Sequence, residues 1–129
     1  MARAPSSQPT EVELQILRIL WELGTSPVRE IHQGLLAEKT TNYSTTVKML
    51  AVMLEKGLVL RDEASSPHVY RAAVTRQRTQ KKILDEVVRK VYDGSRLSLV
   101  MQALSTGRTS AAEIEEVRAL LDELERKQS

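Results

Sequence analysis

The chain of 129 residues contains no cysteine and no phenylalanine, one tryptophan and three tyrosines. Without cysteine there are no disulfides, no thiolate metal sites and no cysteine nucleophiles, a composition compatible with a reducing compartment. With so few aromatics the core has to be aliphatic, and an apolar share of 41% can supply it. No apolar run approaches the roughly 20 residues that cross a bilayer, so membrane insertion is not expected. Residues 1–9 lack the apolar centre of a signal peptide and read as a disordered N-terminal arm, which makes the expected location cytoplasmic. Catalytic motifs are missing too: there is no glycine-rich phosphate loop and no HExxH. The acidic pairs Glu115-Glu116 and Asp122-Glu123 fall on the outside of a heptad, as solvated charges do. His32 and His68 are the only histidines and sit in different elements. We therefore expect no enzyme, no metal and no cofactor.

The net charge is only +2, but it is unevenly spread. Between Arg76 and Lys90 six cations face two acids, and between Glu113 and Glu125 six acids face Arg118 alone. Either these are two solvated helix faces, or one side of the molecule meets phosphate and the other is held away from it.

The most informative stretch runs from Asn42 to Gly57. Val47, Leu50, Ala51 and Leu54 recur at i, i+3, i+4 and i+7, which predicts one inward stripe on a helix. The opposite side then carries Thr45, Lys48, Met49, Val52 and Lys56. Hydroxyls, lysines and apolar side chains without acids suit a DNA major groove, where lysines meet phosphate and the other groups meet base edges. Met53 lies to one side and is expected to be buried, and Gly57 is expected to close the helix as a left-handed cap.

Around this helix the chain falls into order. Thr10 to Glu13 forms a capping box that opens a first helix, ending at Gly24, whose Trp21 is expected to help close a three-helix core. Ser26 and Pro27 are expected as N-cap and first position of a second helix, with Val28, Ile31 and Leu35 inward. After Gly57 the β-formers Leu58–Arg61 and His68–Val74, separated by the turn residues 62–67, predict a hairpin. Helices followed by such a hairpin are the winged-helix order, with Arg61, His68 and Arg71 as candidate backbone contacts.

Beyond Thr75 the pattern is helical to about Tyr92, with a break at Asp93-Gly94-Ser95. A short helix follows around Leu97, Val100, Met101 and Leu104, then a second break at Ser105 to Arg108. A last helix is capped by Ser110, with Ile114, Val117, Leu121 and Leu124 on a heptad seam. These helices, with Leu84, Val87 and Val91 as well, hold more apolar residues than a lone tail can hide, which favours a homodimer over a fold-back onto the first domain. The expected fold class is mainly α with a small β-hairpin. Its expected domains are the arm at 1–9, a winged helix-turn-helix domain at 10–74 and a helical dimerisation region at 75–129.

The run Tyr43-Ser44-Thr45-Thr46-Val47-Lys48-Met49-Leu50, followed by Glu55-Lys56-Gly57-Leu58-Val59, Arg61-Asp62-Glu63 and His68-Val69-Tyr70-Arg71-Ala72, resembles the BlaI/MecI/CopY family of penicillinase-type repressors. Glu11, Ile16-Leu17, Leu20-Trp21 and Pro27-Val28-Arg29-Glu30-Ile31 are similar to its first two helices. Gly94-Ser95, Leu99-Val100 and the last helix are similar to its dimerisation region. The resemblance spans about Thr10 to Arg126. It implies a transcriptional repressor that binds a palindromic double-stranded DNA operator as a homodimer. The expected DNA-facing set is Ser44, Thr45, Thr46, Lys48, Met49, Val52, Arg61, His68 and Arg71. A sensor protease is a further implied partner, but the Asn-Phe bond cut in β-lactam-responsive members has no counterpart in Ser95-Arg96-Leu97-Ser98-Leu99. The cysteine pairs of the copper branch are absent as well, so the inducing signal is open. Two other readings stand beside this one. A ligand-sensing regulator would need a pocket near Tyr92, Leu97 and Met101, and a protein-interaction module would use Met49 and Val52 as anchors.

Overall fold

The computed structural model describes residues 8–129; of the expected N-terminal arm, 1–9, residues 1–7 lie outside the described residues. Nine elements follow in order. They are α1 (Glu11–Leu23), β1 (Ser26–Pro27), α2 (Val28–Leu36), α3 (Tyr43–Lys56), β2 (Val59–Asp62), β3 (Val69–Ala72), α4 (Arg76–Val91), α5 (Arg96–Thr106) and α6 (Ala111–Gln128). The chain divides into two compact units, the first ending at Leu84 and the second running from Asp85 to Ser129. The class is mainly α with a small antiparallel sheet: a winged helix-turn-helix followed by helices.

In the first unit, α1 starts where the Thr10 hydroxyl accepts from the Glu13 amide while the Glu13 carboxylate accepts from the Thr10 amide at 2.8 Å. This is the reciprocal box that the sequence predicts. Ile16, Leu17 and Leu20 of α1, Ile31 and Leu35 of α2, and Leu50 and Met53 of α3 form a buried core with Leu58, Val59 and Tyr70 of the hairpin. The core is aliphatic apart from one tyrosine, as a chain without phenylalanine requires. The helices α1 and α2 come close at Gly34, where a Cβ would stand 2.9 Å from the Ile19 side chain. Only glycine fits there without displacing that contact.

Trp21 does not sit at the centre. It is half-buried against the core, its indole N–H donates to the Val74 carbonyl at 2.9 Å, and the Arg76 guanidinium lies over its ring at 5.5 Å. The indole is amphipathic, so its polar edge pins the chain that leaves β3 while its ring closes the side of the core.

Two expectations about the start of α2 are corrected. Pro27, extended at φ −74° and ψ 163°, is the N-cap. Ser26 lies one residue further out, fully buried, its hydroxyl donating to the Gly24 carbonyl at 2.9 Å. The two residues instead form β1 and pair with β3, Ser26 opposite Tyr70 and Pro27 opposite Val69, giving sheet order β1-β3-β2. A third strand costs little here, because proline is tolerated on a sheet edge.

The hairpin has the expected place. The strand expected from Leu58 begins one residue later, because the Leu58 amide donates to the Met53 carbonyl and finishes the turn out of α3. Gly57 adopts φ 78° and ψ 18°, the left-handed cap.

In the second unit, Ser95 caps α5 and Ser110 with Glu113 caps α6 through a second reciprocal box. Ser105 and Thr106, expected in a break, belong to α5. Their hydroxyls donate back to the carbonyls of Met101 and Gln102, which satisfies them inside the helix. Neither α5 nor α6 has a buried residue. Leu97, Val100, Met101, Leu104, Ile114, Leu121 and Leu124 are all exposed, as are Leu84, Val87 and Val91 of α4. Val117 is half-buried, and Leu120 is an exposed leucine on α6 that the heptad reading omits.

Candidate nucleic-acid interface

The third helix is fixed at both ends before its face is chosen. Asn42 caps it: one carboxamide oxygen accepts from the Thr45 amide at 2.9 Å and from the hydroxyls of Ser44 and Thr45, each at 2.8 Å. Both hydroxyls are thereby pre-ordered on the exposed first turn, with their own lone pairs free to accept. At the other end Lys56, only 16% exposed, donates to the Glu13 carboxylate at 2.9 Å.

Glu13 is itself 1% exposed. Burial pushes its carboxyl up, but the Thr10 amide, the Lys56 ammonium and the Thr10 hydroxyl outweigh that and hold it below the usual carboxylate range. One carboxylate therefore joins the start of α1 to the end of α3. Lys56 was expected on the outer face beside Lys48; the ion pair takes it out of that face.

The inward face is also rotated from the expected one. Thr46 is fully buried, with Leu50 and Met53, and Met49 and Leu54 pack partly against the core. Val47, expected to hold the helix inward, is 41% exposed, and Ala51 is exposed with it. The difference is close to one residue's step of about 100°. Two stripes competed, and the one that buries Met49, Leu50, Met53 and Leu54 removes more apolar area from water than one built on Val47 and Ala51.

That rotation places a threonine inside, where it needs a partner. The Thr46 Oγ1 lies 2.8 Å from His32 Nδ1 on α2. The His32 ring in turn meets the Tyr43 ring edge-on, centroids 5.5 Å apart. Thr46, assigned from sequence to the DNA-facing set, is therefore a link between α2 and α3, because its only hydroxyl is buried and engaged.

What faces outward along α3 is Ser44, Thr45, Val47, Lys48, Ala51, Val52 and Glu55, with Met49 at the border. Of these Lys48 is the one cation. Sequence reasoning missed Val47 and Ala51, and side-chain volume was the signal that could have found them.

The hairpin register separates its two arginines. Arg61 lies opposite Tyr70 and Arg71 opposite Leu60, so they project from opposite faces. The Tyr70 hydroxyl and the Glu63 carboxylate beside Arg61 hold its guanidinium further toward the charged form, and Arg61 Nε donates to Glu63 at 3.0 Å. Arg71 and His68 are exposed. Arg71 borders a shallow hollow of about 370 Å³ with Thr25, Leu60, Arg61, Asp62 and Val69. Leu97 and Met101, proposed from sequence to line a ligand pocket, are more than half exposed. Among the described residues no group of three or more metal-ligating side chains comes together, and no helix is long and apolar enough to cross a membrane.

A helix-turn-helix with an exposed third helix and a following hairpin defines the winged-helix class of nucleic-acid-binding domains. The sequence model described as penicillinase repressor matches residues 9–123. The chain belongs to the penicillinase repressor family, and it is a non-enzymatic, DNA-binding transcription regulator. Among solved structures it is similar to a MarR family transcriptional regulator from Silicibacter pomeroyi DSS. The identity is 20% and the TM-score 0.44, over 91% of this chain and 69% of that one. No curated protein matches the chain.

Proposed function

We propose that the chain works in the cytoplasm as a homodimeric repressor on a palindromic operator. The observation that carries this reading is the outward face of α3, which is short, nearly free of acids, pre-ordered at its first turn and held by Asn42 and Glu13 at its two ends. In this reading α3 enters the major groove. Ser44, Thr45, Met49 and Val52 lie against base edges, and Lys48 against phosphate. Arg71 and His68 on the hairpin meet the backbone, with Arg61 held by Tyr70 and Glu63 as a weaker contributor. The exposed apolar residues of α4, α5 and α6 form the contact between copies, and two copies related by a twofold axis call for a palindrome. Release from the operator uses a signal other than cleavage at an Asn-Phe bond or copper capture by cysteines, since the sequence has neither phenylalanine nor cysteine.

Two measurements test this. Sedimentation of the full chain is expected to give twice the chain mass. Selection from random DNA is expected to give an inverted repeat, whose binding weakens steeply with salt as counterions are released. A monomer that retains equal, salt-insensitive binding to operator and scrambled DNA would sink the reading.

A further inference from the structure

We propose that α3 reads its operator mainly through the C5 methyl groups of thymine, with Val47, Ala51 and Val52 as the specificity-determining residues. The inference rests on the major-groove reading above and deepens it.

Each base has its own preferred side chains in the major groove. Guanine is read by bidentate Arg or Lys, adenine by bidentate Asn or Gln, cytosine by Asp or Glu, and the thymine methyl by apolar groups. The exposed residues of α3 are Tyr43, Ser44, Thr45, Val47, Lys48, Ala51, Val52 and Glu55. There is no arginine, asparagine or glutamine among them. Asn42, at the cap, cannot make the bidentate adenine pair, because its carboxamide oxygen already accepts three hydrogen bonds. Lys56 is committed to Glu13. Glu55 stands in the last turn, away from the N-terminal half that a recognition helix brings to the bases.

Apart from Tyr43, whose ring meets His32 edge-on, what remains beside Lys48 and the two hydroxyls is apolar. Val47 and Ala51 stack at i and i+4, with Val52 in the adjoining column, and the two valines are 41% and 42% exposed. They lie outside the core cluster and its packed fringe. Their methyl groups stand where a thymine methyl is the one base-edge feature that apolar contact can recognise. Hydroxyls and Lys48 then orient the helix and supply less selective contacts.

The test uses the full chain and the operator recovered by selection, with each thymine replaced in turn by deoxyuridine. That exchange removes the methyl and leaves base pairing intact. We expect two or more positions at which affinity falls about three- to five-fold, the loss that goes with one buried methyl. In Val47→Ala or Val52→Ala, the same exchange at the matched position has no further effect. Alanine is the best helix former, so an exposed substitution leaves α3 folded. If deoxyuridine at every position leaves affinity unchanged while the operator is still preferred over scrambled DNA, the methyl reading is overturned and the DNA-binding reading stands. If selection enriches no sequence, the DNA-binding reading fails and takes this one with it.

Discussion

The two units of this chain use the same local grammar and reach different ends. Each opens a helix with a reciprocal capping box, Thr10 with Glu13 in the first and Ser110 with Glu113 in the second. In the first, Glu13 goes on to accept from Lys56 and lies 1% exposed, so a local cap becomes a tertiary tie. In the second, Glu113 stays at the surface. Its carboxyl is held below the usual range by the Ser110 amide and hydroxyl alone. The first unit hides its apolar stripes inside itself, whereas α5 and α6 bury nothing. Helices that short gain most of their stability from packing an apolar face. The first unit therefore holds a core of its own, while α5 and α6 leave their apolar residues exposed.

The sharpest way to break this contrast is to spoil the exposed seam alone. We expect Leu121→Glu with Leu124→Glu to leave the first unit folded but to halve the sedimenting mass. Operator affinity is expected to fall by about 10²–10⁴-fold as linked half-site binding is lost. A variant that stays dimeric would place the subunit contact elsewhere.

Next in size is a cavity in the first unit. Leu50→Ala is expected to lower unfolding stability by about 2–5 kcal/mol in urea melts, because Leu50 is fully buried in the core of the first unit.

The two capping glutamates give the third comparison. Glu13→Gln is expected to cost about 1–3 kcal/mol, because it leaves Lys56 without its carboxylate. Glu13 has its folded carboxyl below the ordinary value of about 4.3. Its contribution is therefore full above that value and lost as pH falls through the folded one. Acid melts of the wild type should show this loss, and Glu13→Gln should flatten it. Glu113→Gln, at the exposed box, should flatten the acid limb less, because its carboxylate has only the Ser110 partners and no ion pair.

The smallest effect is expected from Lys48→Ala, which removes the phosphate contact proposed for that lysine. The slope of log affinity against log salt should become shallower by about one, uniformly across DNA sequences.

How much of this was legible differs by region. The starts of α1 and α6, the Gly57 cap and the hairpin after α3 follow from local signals: reciprocal boxes, glycine in left-handed backbone and clustered turn residues. Family membership was legible from motif order. The phase of α3 was not, because Val47, Leu50, Ala51 and Leu54 make as regular a stripe as the one the fold uses. Periodicity reports that a face exists, while the volume of Met49 and Met53 and a partner for Thr46 on α2 decide which face is buried. Strand β1 was illegible for a similar reason: two residues carry no period, and only pairing with β3 makes them a strand.

By itself, then, the sequence determined where α1 and α6 start and where α3 stops, since caps and turns act over three or four residues. It also determined that the core would be aliphatic and that the last helices would keep an apolar seam. Tertiary structure alone decided that His32 receives Thr46, that Glu13 reaches Lys56 across 43 residues, and that Val47 and Ala51 face out. Those outcomes depend on which surfaces meet, and burial of the larger apolar area, with polar groups satisfied as they are enclosed, settles that only when the elements pack.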